Sequence, residues 1–266
     1  MKTRQVAEAL RRIGKIDLPV ESMIPSPLPY TYRNRVTVHV QEERIGFYER
    51  DSNHVIDIEQ CPISSPEVNR ALAELRANRP REGHYTLRAA GGPRVFTQTN
   101  DAVADALAEL IRKIIPPNQH LLVDAYCGAG FFTKRLLDHF EQLVGIDWDR
   151  FAIAAAQKNT TDKETYIAGD VTLEVAKHVE PTLRDRTVMI IDPPATGLPE
   201  EVRAKIVDVA PATLVYVSCN PATLARDLRD LVQRYEIKSV QPLDMFPQTA
   251  EIEVAVHLQT HSSAGG

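Results

Sequence analysis

The stretch "HLLVDAYCGAG", residues 120–130, decides the fold class of this chain. It begins as an apolar run that predicts a buried strand, and an acid, Asp124, ends the run. Gly128 and Gly130 follow in a short loop that leads into a segment of helical character. A buried strand, a glycine loop and a helix in this order predict the first unit of a parallel sheet with helices on both faces.

The segments downstream repeat this alternation. Further strands are predicted at "QLVGID", "TYIAGD", "TVMIIDPP" and "TLVYVSC", with helices beginning near Phe131, Arg150, Val171, Pro199 and Pro221. Apolar strands separated by helices are typical of a parallel sheet. The last two segments, "EIKSVQPLDM" and "EIEVAVHLQ", have no helix between them, so we expect an antiparallel edge.

The front of the chain has a different pattern. "RVTVHV", "RIGFYE" and "HVIDIE" predict short antiparallel strands, and Ser65 with Pro66 predicts the start of a helix. The Gly91-Gly92 pair separates this part from a helix that Asn100 caps. We therefore expect a small α+β region over residues 1–90 and an α/β domain over residues 91–266.

Composition limits the function classes. The formal net charge of −5 over 266 residues argues against a strongly basic nucleic-acid binder, although residues 1–100 hold 15 Lys/Arg against 12 Asp/Glu. No apolar run approaches the ~20 residues of a membrane span, and the first residues lack a signal-peptide pattern, so a cytoplasmic protein is expected. Cys61, Cys127 and Cys219 show no C-x-x-C spacing, so the sequence predicts no disulfide, zinc or iron–sulfur site.

The predicted strands end on residues that could form a ligand site. In open parallel sheets ligands bind beyond the carboxyl ends of the strands. Glycines in the first loop let backbone approach a ligand closely, and an acid after the second strand suits a ribose diol. The loop alone fits a nicotinamide enzyme, an S-adenosylmethionine enzyme or a tight turn, although G-x-G-x-x-G is absent. The five strand ends are Asp124, Asp147, Asp170, Asp192 and Cys219.

Cys219 is the cysteine with a chemical interpretation. A free cysteine is usually a small buried hydrophobe, which suits Cys127 and Cys61. Cys219 instead follows a strand at the ligand edge and precedes a helix start, which we expect to lower the thiol pKa. Glu253 follows a Phe-Pro turn and could act as a general base, although its position alone favours an exposed strand acid.

The chain resembles the RNA 5-methyluridine (uracil-C5) methyltransferase family over nearly its whole length. The segments that carry the resemblance are "YRNRVTVHV", "GFYERDSNHVIDIEQCPI", "FTQTN", "DAYCGAGFFT", "GID", "IIDPPATG", "LVYVSCNPATLARDL" and "LDMFPQTAEIE". The resemblance implies a Rossmann-like S-adenosylmethionine methyltransferase domain after a small N-terminal α+β RNA-binding region. It further implies a monomer that acts on tRNA or rRNA, with no membrane association.

The resemblance also implies roles for individual residues. Cys219 would add to C6 of uracil, Glu253 would remove the C5 proton, and Asp192 would contact the uracil edge or the cofactor's methionine end. A target base flipped out of folded RNA would stack on Phe131 or Phe246. The implied cofactor-binding residues are Gln98, Tyr126, Gly128, Gly130, Asp147, Asp170 and Asp192.

The chain departs from the family's pattern in several places. Ala195 stands where an arginine is expected, and Glu251 replaces a histidine. The N-terminal OB-like (TRAM) domain and the iron–sulfur cysteine cluster of other members are expected to be missing, with Cys61 alone resembling a cluster ligand. RNA capture would then rest on Arg33, Arg35 and Arg44.

Three other interpretations stay open. RNA cytosine-C5 methylation also uses a thiolate, but it usually shows Pro-Cys after the fourth strand, where this chain has Pro193-Pro194-Ala195. A catalytically silent RNA-binding relative is suggested by Ala195 and Glu251. Methylation of an exocyclic amine is a weaker alternative, because that chemistry needs no thiol.

Overall fold

The computed structural model describes residues 1–89 and 98–261, which form two β-sheets with helices packed on them. The helices are α1 (Lys2–Ala9), α2 (Pro66–Ala77), α3 (Asp101–Ile114), α4 (Phe131–Arg135), α5 (Arg150–Ala156), α6 (Val171–His178), α7 (Glu200–Val209) and α8 (Pro221–Leu231). The strands are β1 (Arg35–Gln41), β2 (Arg44–Tyr48), β3 (Val55–Asp57), β4 (Gly83–Arg88), β5 (Gln119–Ala125), β6 (Phe140–Asp147), β7 (Glu164–Ala168), β8 (Thr187–Ile191), β9 (Thr213–Ser218), β10 (Tyr235–Leu243) and β11 (Glu253–Thr260).

The larger sheet has the strand order β10-β11-β9-β8-β5-β6-β7. Strands β5 to β9 are parallel, and β11 is inserted antiparallel between β9 and β10. The predicted parallel sheet and its antiparallel edge are therefore confirmed. The chain runs outward from β5 to β7 and then returns to the other side of β5 as β8. This reversal opens a crevice at the carboxyl ends of β5 and β8, where α/β sheets bind ligands.

Helices cover both faces of this sheet. On one face α1, α6, α7 and α8 pack against buried strand residues such as Met189 and Tyr216. On the other face α3 and α4 pack against residues such as Val188 and Val215. Burial on both sides explains why these strands read as continuous apolar runs in the sequence.

Helix α1 packs with the larger sheet although it lies in the predicted 1–90 region. Val6 and Leu10 are buried in the same apolar cluster as α8. The backbone of Gly14 passes so close to α8 that an added Cβ would lie 3.0 Å from the carbonyl oxygen of Ala225. The Gly91-Gly92 pair, at which the sequence was divided, lies outside the described residues.

The smaller sheet has the order β3-β2-β1-β4 and is antiparallel throughout. Helix α2 covers one face, where Val68 and Leu72 pack against Val36, Val38 and Leu87. The sequence predicted β1, β2, β3 and the Ser65-capped helix, but it did not predict β4. In β4, "GHYTLR", Leu87 is the one buried residue, so the apolar signal of a strand is weak.

Candidate active site

The loop after β5 bends through three residues with left-handed backbone angles. Tyr126, Gly128 and Gly130 have φ angles of 65°, 53° and 80°. A non-glycine residue rarely adopts such an angle, so Tyr126 marks a constrained point in the loop. Gly130 is also required by packing, because an added Cβ would lie 2.7 Å from the hydroxyl oxygen of Tyr166.

Two carboxylates lie beside this loop. The two carboxylate oxygens of Asp147 accept hydrogen bonds from the backbone N–H groups of Gly128 and Asp149, each at 2.8 Å. Asp170 caps helix α6 by accepting from the backbone N–H of Thr172 at 2.7 Å. The negative charges of Asp170 and Asp147 contribute, after burial, to raising the pKa of Tyr126 to about 12. The structure thus brings together Tyr126, Gly128, Gly130, Asp147 and Asp170, which we call the cofactor half of the site.

The cofactor half fits S-adenosyl-L-methionine. A Cβ added to Gly128 would meet no heavy atom within 4 Å, so the loop opens on free space. Each Asp147 oxygen accepts one hydrogen bond and keeps a lone pair for a ribose hydroxyl. Trp148 and Phe151, which the sequence analysis did not single out, are 80% and 73% exposed and add apolar surface beside Asp147.

Asp192 follows β8 next to the start of this loop, and its backbone N–H donates to the carbonyl oxygen of Ala125 at 3.3 Å. Its carboxylate accepts a hydrogen bond from the side-chain amide of Gln98 at 3.2 Å. The backbone carbonyl of Gln98 in turn accepts from the amide of Asn34 at 2.9 Å, which ties this pair to the smaller sheet. Burial, with the charge of Asp124, raises the pKa of Asp192 to about 7.

Cys219 directly follows β9, and Glu253 is the first residue of the neighbouring strand β11. Ser218 of β9 pairs with Val254 of β11, so Cys219 and Glu253 lie at the same end of the two strands, and the charge of Glu253 acts on the thiol. Glu253 is 3% exposed and Cys219 is half-buried. With Asp192 they form what we call the catalytic half. Glu253 is therefore not the exposed strand acid that its position alone favoured.

The pKa of the Cys219 thiol differs from the expectation. We expected the helix start at Pro221 to lower it, but burial and the nearby carboxylates of Glu253 and Asp192 raise it to about 11. Burial also raises the pKa of Glu253 well above its ordinary value, with contributions from Asp192 and Glu251. Loss of solvation and like charges thus outweigh the helix terminus.

The segment after β8 is fixed on helix α8. The carbonyl oxygen of Ala195 accepts hydrogen bonds from the Asn220 amide at 3.0 Å and the Thr223 hydroxyl at 3.1 Å. The fully buried carboxylate of Asp227 accepts from the backbone N–H of Leu198 at 2.8 Å. The helix that begins beside Cys219 therefore also positions the segment that carries Asp192.

The segment that leads into Glu253 is held by Lys2. The ammonium group of Lys2 donates to the carboxylate of Asp244 at 2.7 Å and to the carbonyl oxygens of Phe246 and Glu251 at 2.9 and 2.7 Å. Sequence reasoning missed Lys2 because it lies 251 positions before Glu253, and the pattern of α1 gives no signal of this contact.

Each of the two aromatic residues expected to stack on a flipped base has a cation beside its ring. Phe131 and Phe246 are half-buried, with the guanidinium carbons of Arg135 and Arg33 at 4.1 and 5.8 Å from their respective ring centroids. Cys61 is buried, and its backbone N–H donates to the side chain of Asn69 at 2.9 Å.

Within residues 1–89 and 98–261 there is no group of three His, Cys, Asp or Glu side chains arranged to hold a metal ion. In the same ranges, each helix is too short or too polar to cross a membrane.

The chain matches the model of a known protein family. Residues 84–171 and 179–261 match the model of the tRNA (uracil-5-)-methyltransferase family. An uncharacterized RNA methyltransferase of Thermosynechococcus vestitus is 27% identical over 97% of this chain and 78% of its own length. The tRNA (uracil(54)-C(5))-methyltransferase of Schizosaccharomyces pombe is 28% identical over 95% of this chain, which spans 59% of that protein.

A solved structure shares the fold. The Pyrococcus abyssi tRNA (uracil-54, C5)-methyltransferase, in complex with S-adenosyl-L-homocysteine, aligns with a TM-score of 0.71 over 97% of this chain and 82% of its own, at 22% identity. The alignment with the Thermosynechococcus protein runs over 359 positions although this chain has 266 residues. That relative therefore carries a large amount of sequence within the aligned region that this chain lacks.

Proposed function

The chain belongs to the tRNA (uracil-5-)-methyltransferase family, and we propose that it methylates C5 of a uridine in tRNA through a covalent bond between Cys219 and C6 of the base. It is an S-adenosyl-L-methionine-dependent enzyme. The observation that carries the mechanism is the register of β9 and β11, which brings a half-buried thiol and a buried carboxyl together beside Asp192.

The proposed reaction begins at the thiol. Uracil C5 is a weak carbon nucleophile, so the Cys219 thiol releases its proton to solvent and the thiolate adds to C6, which makes C5 enolate-like. S-adenosyl-L-methionine, when bound, supplies a methyl group on a sulfonium. C5 bonds to that methyl carbon as the carbon–sulfur bond of the donor breaks, and both electrons of that bond stay on the donor's sulfur. Asp192, held by Gln98, orients the base for this in-line attack.

Glu253 completes the cycle. Its carboxylate removes the proton from C5, the C5=C6 double bond re-forms, and the C6–sulfur bond breaks to release the Cys219 thiolate. A carboxyl whose pKa is raised by burial is a stronger base once it is ionised, which suits this transfer. The target base must leave its stack to reach the thiol, and Phe131 or Phe246 offers a surface for it.

The reaction can be tested by identifying the nucleoside that receives the methyl group. Purified protein is incubated with methyl-labelled S-adenosyl-L-methionine and an unmodified tRNA transcript, with an rRNA transcript in parallel, and the RNA is digested to nucleosides. We expect label in 5-methyluridine from the tRNA. Label in 5-methylcytidine, or RNA binding without transfer, would contradict the proposal.

A Glu253→Gln variant tests the order of steps. It keeps the thiol and the cofactor half, so addition and methyl transfer should proceed while loss of the C5 proton becomes slow. We expect a protein–RNA complex that survives denaturing electrophoresis and disappears in the Cys219→Ala/Glu253→Gln double variant. A Glu253→Gln protein that turns over at the wild-type rate would exclude Glu253 as the base.

A further inference from the structure

Tyr166 of β7 lies in a row of paired residues that crosses three strands of the larger sheet. Asp124 of β5 pairs with Gly145 of β6, and Gly145 pairs with Tyr166. Paired residues of neighbouring strands point to the same face of a sheet, so this row has a side chain at each end and none in the middle. The Tyr166 ring therefore has room to extend over β6 toward β5, which lies two strands, or about 10 Å, away.

The Tyr166 ring fills the space that two glycines leave. A Cβ added to Gly145 would lie 2.7 Å from a ring carbon of Tyr166, and a Cβ added to Gly130 would lie 2.7 Å from its hydroxyl oxygen. Gly145 precedes Asp147 by two positions on β6, and Gly130 belongs to the loop that also contains Gly128. One side chain thus packs against both the strand that positions Asp147 and the glycine loop.

The hydroxyl group of Tyr166 is held in place by Glu164. It donates to Oε1 of Glu164 at 2.8 Å, and Oε2 of Glu164 accepts from the backbone N–H and the hydroxyl of Thr161 at 2.9 and 3.1 Å. Burial and the Glu164 carboxylate raise the pKa of Tyr166, so the hydroxyl keeps its proton and remains a donor. Tyr166 is 7% exposed and packs with Cys127 of the glycine loop. The ring is therefore fixed at its hydroxyl end as well as at the backbone.

The glycine loop and Asp147 depend on each other's position. The backbone N–H of Gly128 donates to Oδ2 of Asp147 at 2.8 Å. This bond keeps its length only while the loop stays at one distance from β6. Because the Tyr166 ring packs against Gly130 of the loop and Gly145 of β6, it sets that distance.

We propose that Tyr166 is a positioning residue for S-adenosyl-L-methionine, which spaces the glycine loop from Asp147 and thereby determines the affinity of the cofactor half. This rests on the proposed function only for the assignment of the cofactor half. Tyr166 acts through the loop, since its own ring is buried beneath it. Loss of the ring should let the loop shift toward β6, and groups that bind a ligand lose affinity when they are displaced by about 0.5–1 Å.

Cofactor binding in two matched variants tests the proposal. Tyr166→Val and Tyr235→Val each remove a buried tyrosine ring from an edge strand of the larger sheet, β7 in the first case and β10 in the second. Both should unfold at lower urea concentration than wild type. The dissociation constant of S-adenosyl-L-methionine, measured by calorimetry on the folded proteins, should rise about tenfold or more in Tyr166→Val and stay within twofold in Tyr235→Val.

Two milder variants keep the test independent of folding. Tyr166→Phe retains the ring that spaces the loop, so its cofactor affinity should stay within about threefold of wild type. Tyr166→Leu keeps apolar volume but removes the outer ring atoms that face Gly130, so it should bind the cofactor more weakly than Tyr166→Phe. In both variants the KM for tRNA should match wild type.

Amide hydrogen exchange reads the loop without any ligand. In wild type the N–H groups of Gly128 and Gly130 bond to Asp147 and to the carbonyl oxygen of Cys127. Exchange in peptides that cover residues 126–130, followed by mass spectrometry, should be faster in Tyr166→Leu and Tyr166→Val. Tyr235→Val should exchange in these peptides at the wild-type rate.

The outcomes separate this proposal from the proposed function. Wild-type cofactor affinity and wild-type loop exchange in Tyr166→Leu and Tyr166→Val would overturn the positioning role while leaving methyl transfer intact. An equal loss of cofactor affinity in Tyr235→Val would also overturn it, because the loss would then follow from stability alone. Weakened cofactor binding by the Tyr166 variants of a protein that makes no 5-methyluridine would support the positioning role and overturn the proposed reaction.

Discussion

The carboxyl groups in the two halves of the candidate active site differ in the number and kind of hydrogen bonds that they accept. In the cofactor half, Asp147 accepts two backbone hydrogen bonds and Asp170 accepts one. In the catalytic half, Asp192 accepts one bond from a side chain, and Glu253 accepts none from the residues that the structure describes. Burial raises the pKa of both Asp192 and Glu253.

This difference supports the proposed division between cofactor binding and proton transfer. Backbone N–H groups stabilise a carboxylate as an anion and fix its oxygens in place, which suits recognition of hydroxyl groups. A buried carboxyl with few donors binds a proton more tightly, and it can release or accept that proton when a ligand changes its surroundings. Changes in the catalytic half should therefore affect turnover, and changes in the cofactor half should affect cofactor affinity.

The largest effect is expected from Cys219→Ala. Without the thiol, C5 cannot become enolate-like, and methyl transfer should fall by about 10⁴-fold or more, as for loss of other catalytic nucleophiles. S-adenosyl-L-methionine binding, measured by calorimetry, should stay within twofold. The control is Cys61→Ala, which changes a buried cysteine between β3 and α2 and should retain activity. Residual 5-methyluridine formation within tenfold of wild type would break the assignment of the nucleophile.

The second effect concerns the cofactor half. Asp147→Asn removes the charge that would bind the ribose and places an N–H₂ group near the backbone N–H of Gly128 or Asp149, so the cofactor's dissociation constant should rise about 10- to 100-fold. RNA affinity should not change, because Asp147 lies in the cofactor half. Asp162→Asn, an exposed acid in the same domain, serves as the control. Unchanged cofactor affinity would show that Asp147 is structural.

The thiol's pKa gives a third, smaller effect. Because the pKa of Cys219 is raised to about 11, its thiolate fraction, and with it the rate of alkylation by iodoacetamide, should rise about tenfold per pH unit between pH 8 and 10. Glu253→Gln removes a negative neighbour, lowers this pKa and should speed alkylation several-fold at fixed pH. Mass spectrometry of Cys219 peptides measures the rate. Glu251→Gln, a weaker contributor, should change it less, and equal rates in all three proteins would contradict the coupling.

The sequence predicted the larger sheet well because each of its strands is buried on both faces. Such strands read as apolar runs that end on a polar residue, so Asp147, Asp170, Asp192 and Cys219 could be placed at one edge from order alone. Asp124, which was predicted at the same edge, is instead fully buried within β5 and accepts a hydrogen bond from the Thr133 hydroxyl at 2.7 Å. β4 was missed because Leu87 is its one buried residue, so it lacks the alternating apolar residues by which β1 was predicted.

Contacts between distant segments of the chain explain the other features that were not predicted from the sequence. The thiol pKa was predicted with the wrong sign because the pairing of β9 with β11, which brings Glu253 to the same end as Cys219, joins segments 34 positions apart. The Asp227 contact with Leu198 and the Lys2 contacts likewise connect distant segments. A single sequence carries no local pattern for such pairs, whereas caps such as Ser65 and Asn100 are local and were predicted.

The smallest effect is expected from Lys2→Met, which tests whether the hydrogen bonds of Lys2, in α1, help to position the catalytic half. Lys2→Met removes three hydrogen bonds to the segment between Asp244 and Glu251, one of them an ion pair that is largely buried. We expect a loss of about 1–3 kcal/mol in the free energy of unfolding and a several-fold lower kcat with little change in KM for the cofactor, because Glu253 would be less well positioned.

The control for Lys2→Met is Lys205→Met, which breaks a 3.8 Å ion pair at the surface. Exposed pairs contribute about 0–1 kcal/mol, so this variant should leave both the unfolding midpoint and kcat close to wild type. Urea unfolding and steady-state kinetics separate the two roles of Lys2. If Lys2→Met lowers stability and leaves kcat unchanged, the pairing of β11 with β9 is sufficient to position Glu253, and Lys2 serves the fold alone.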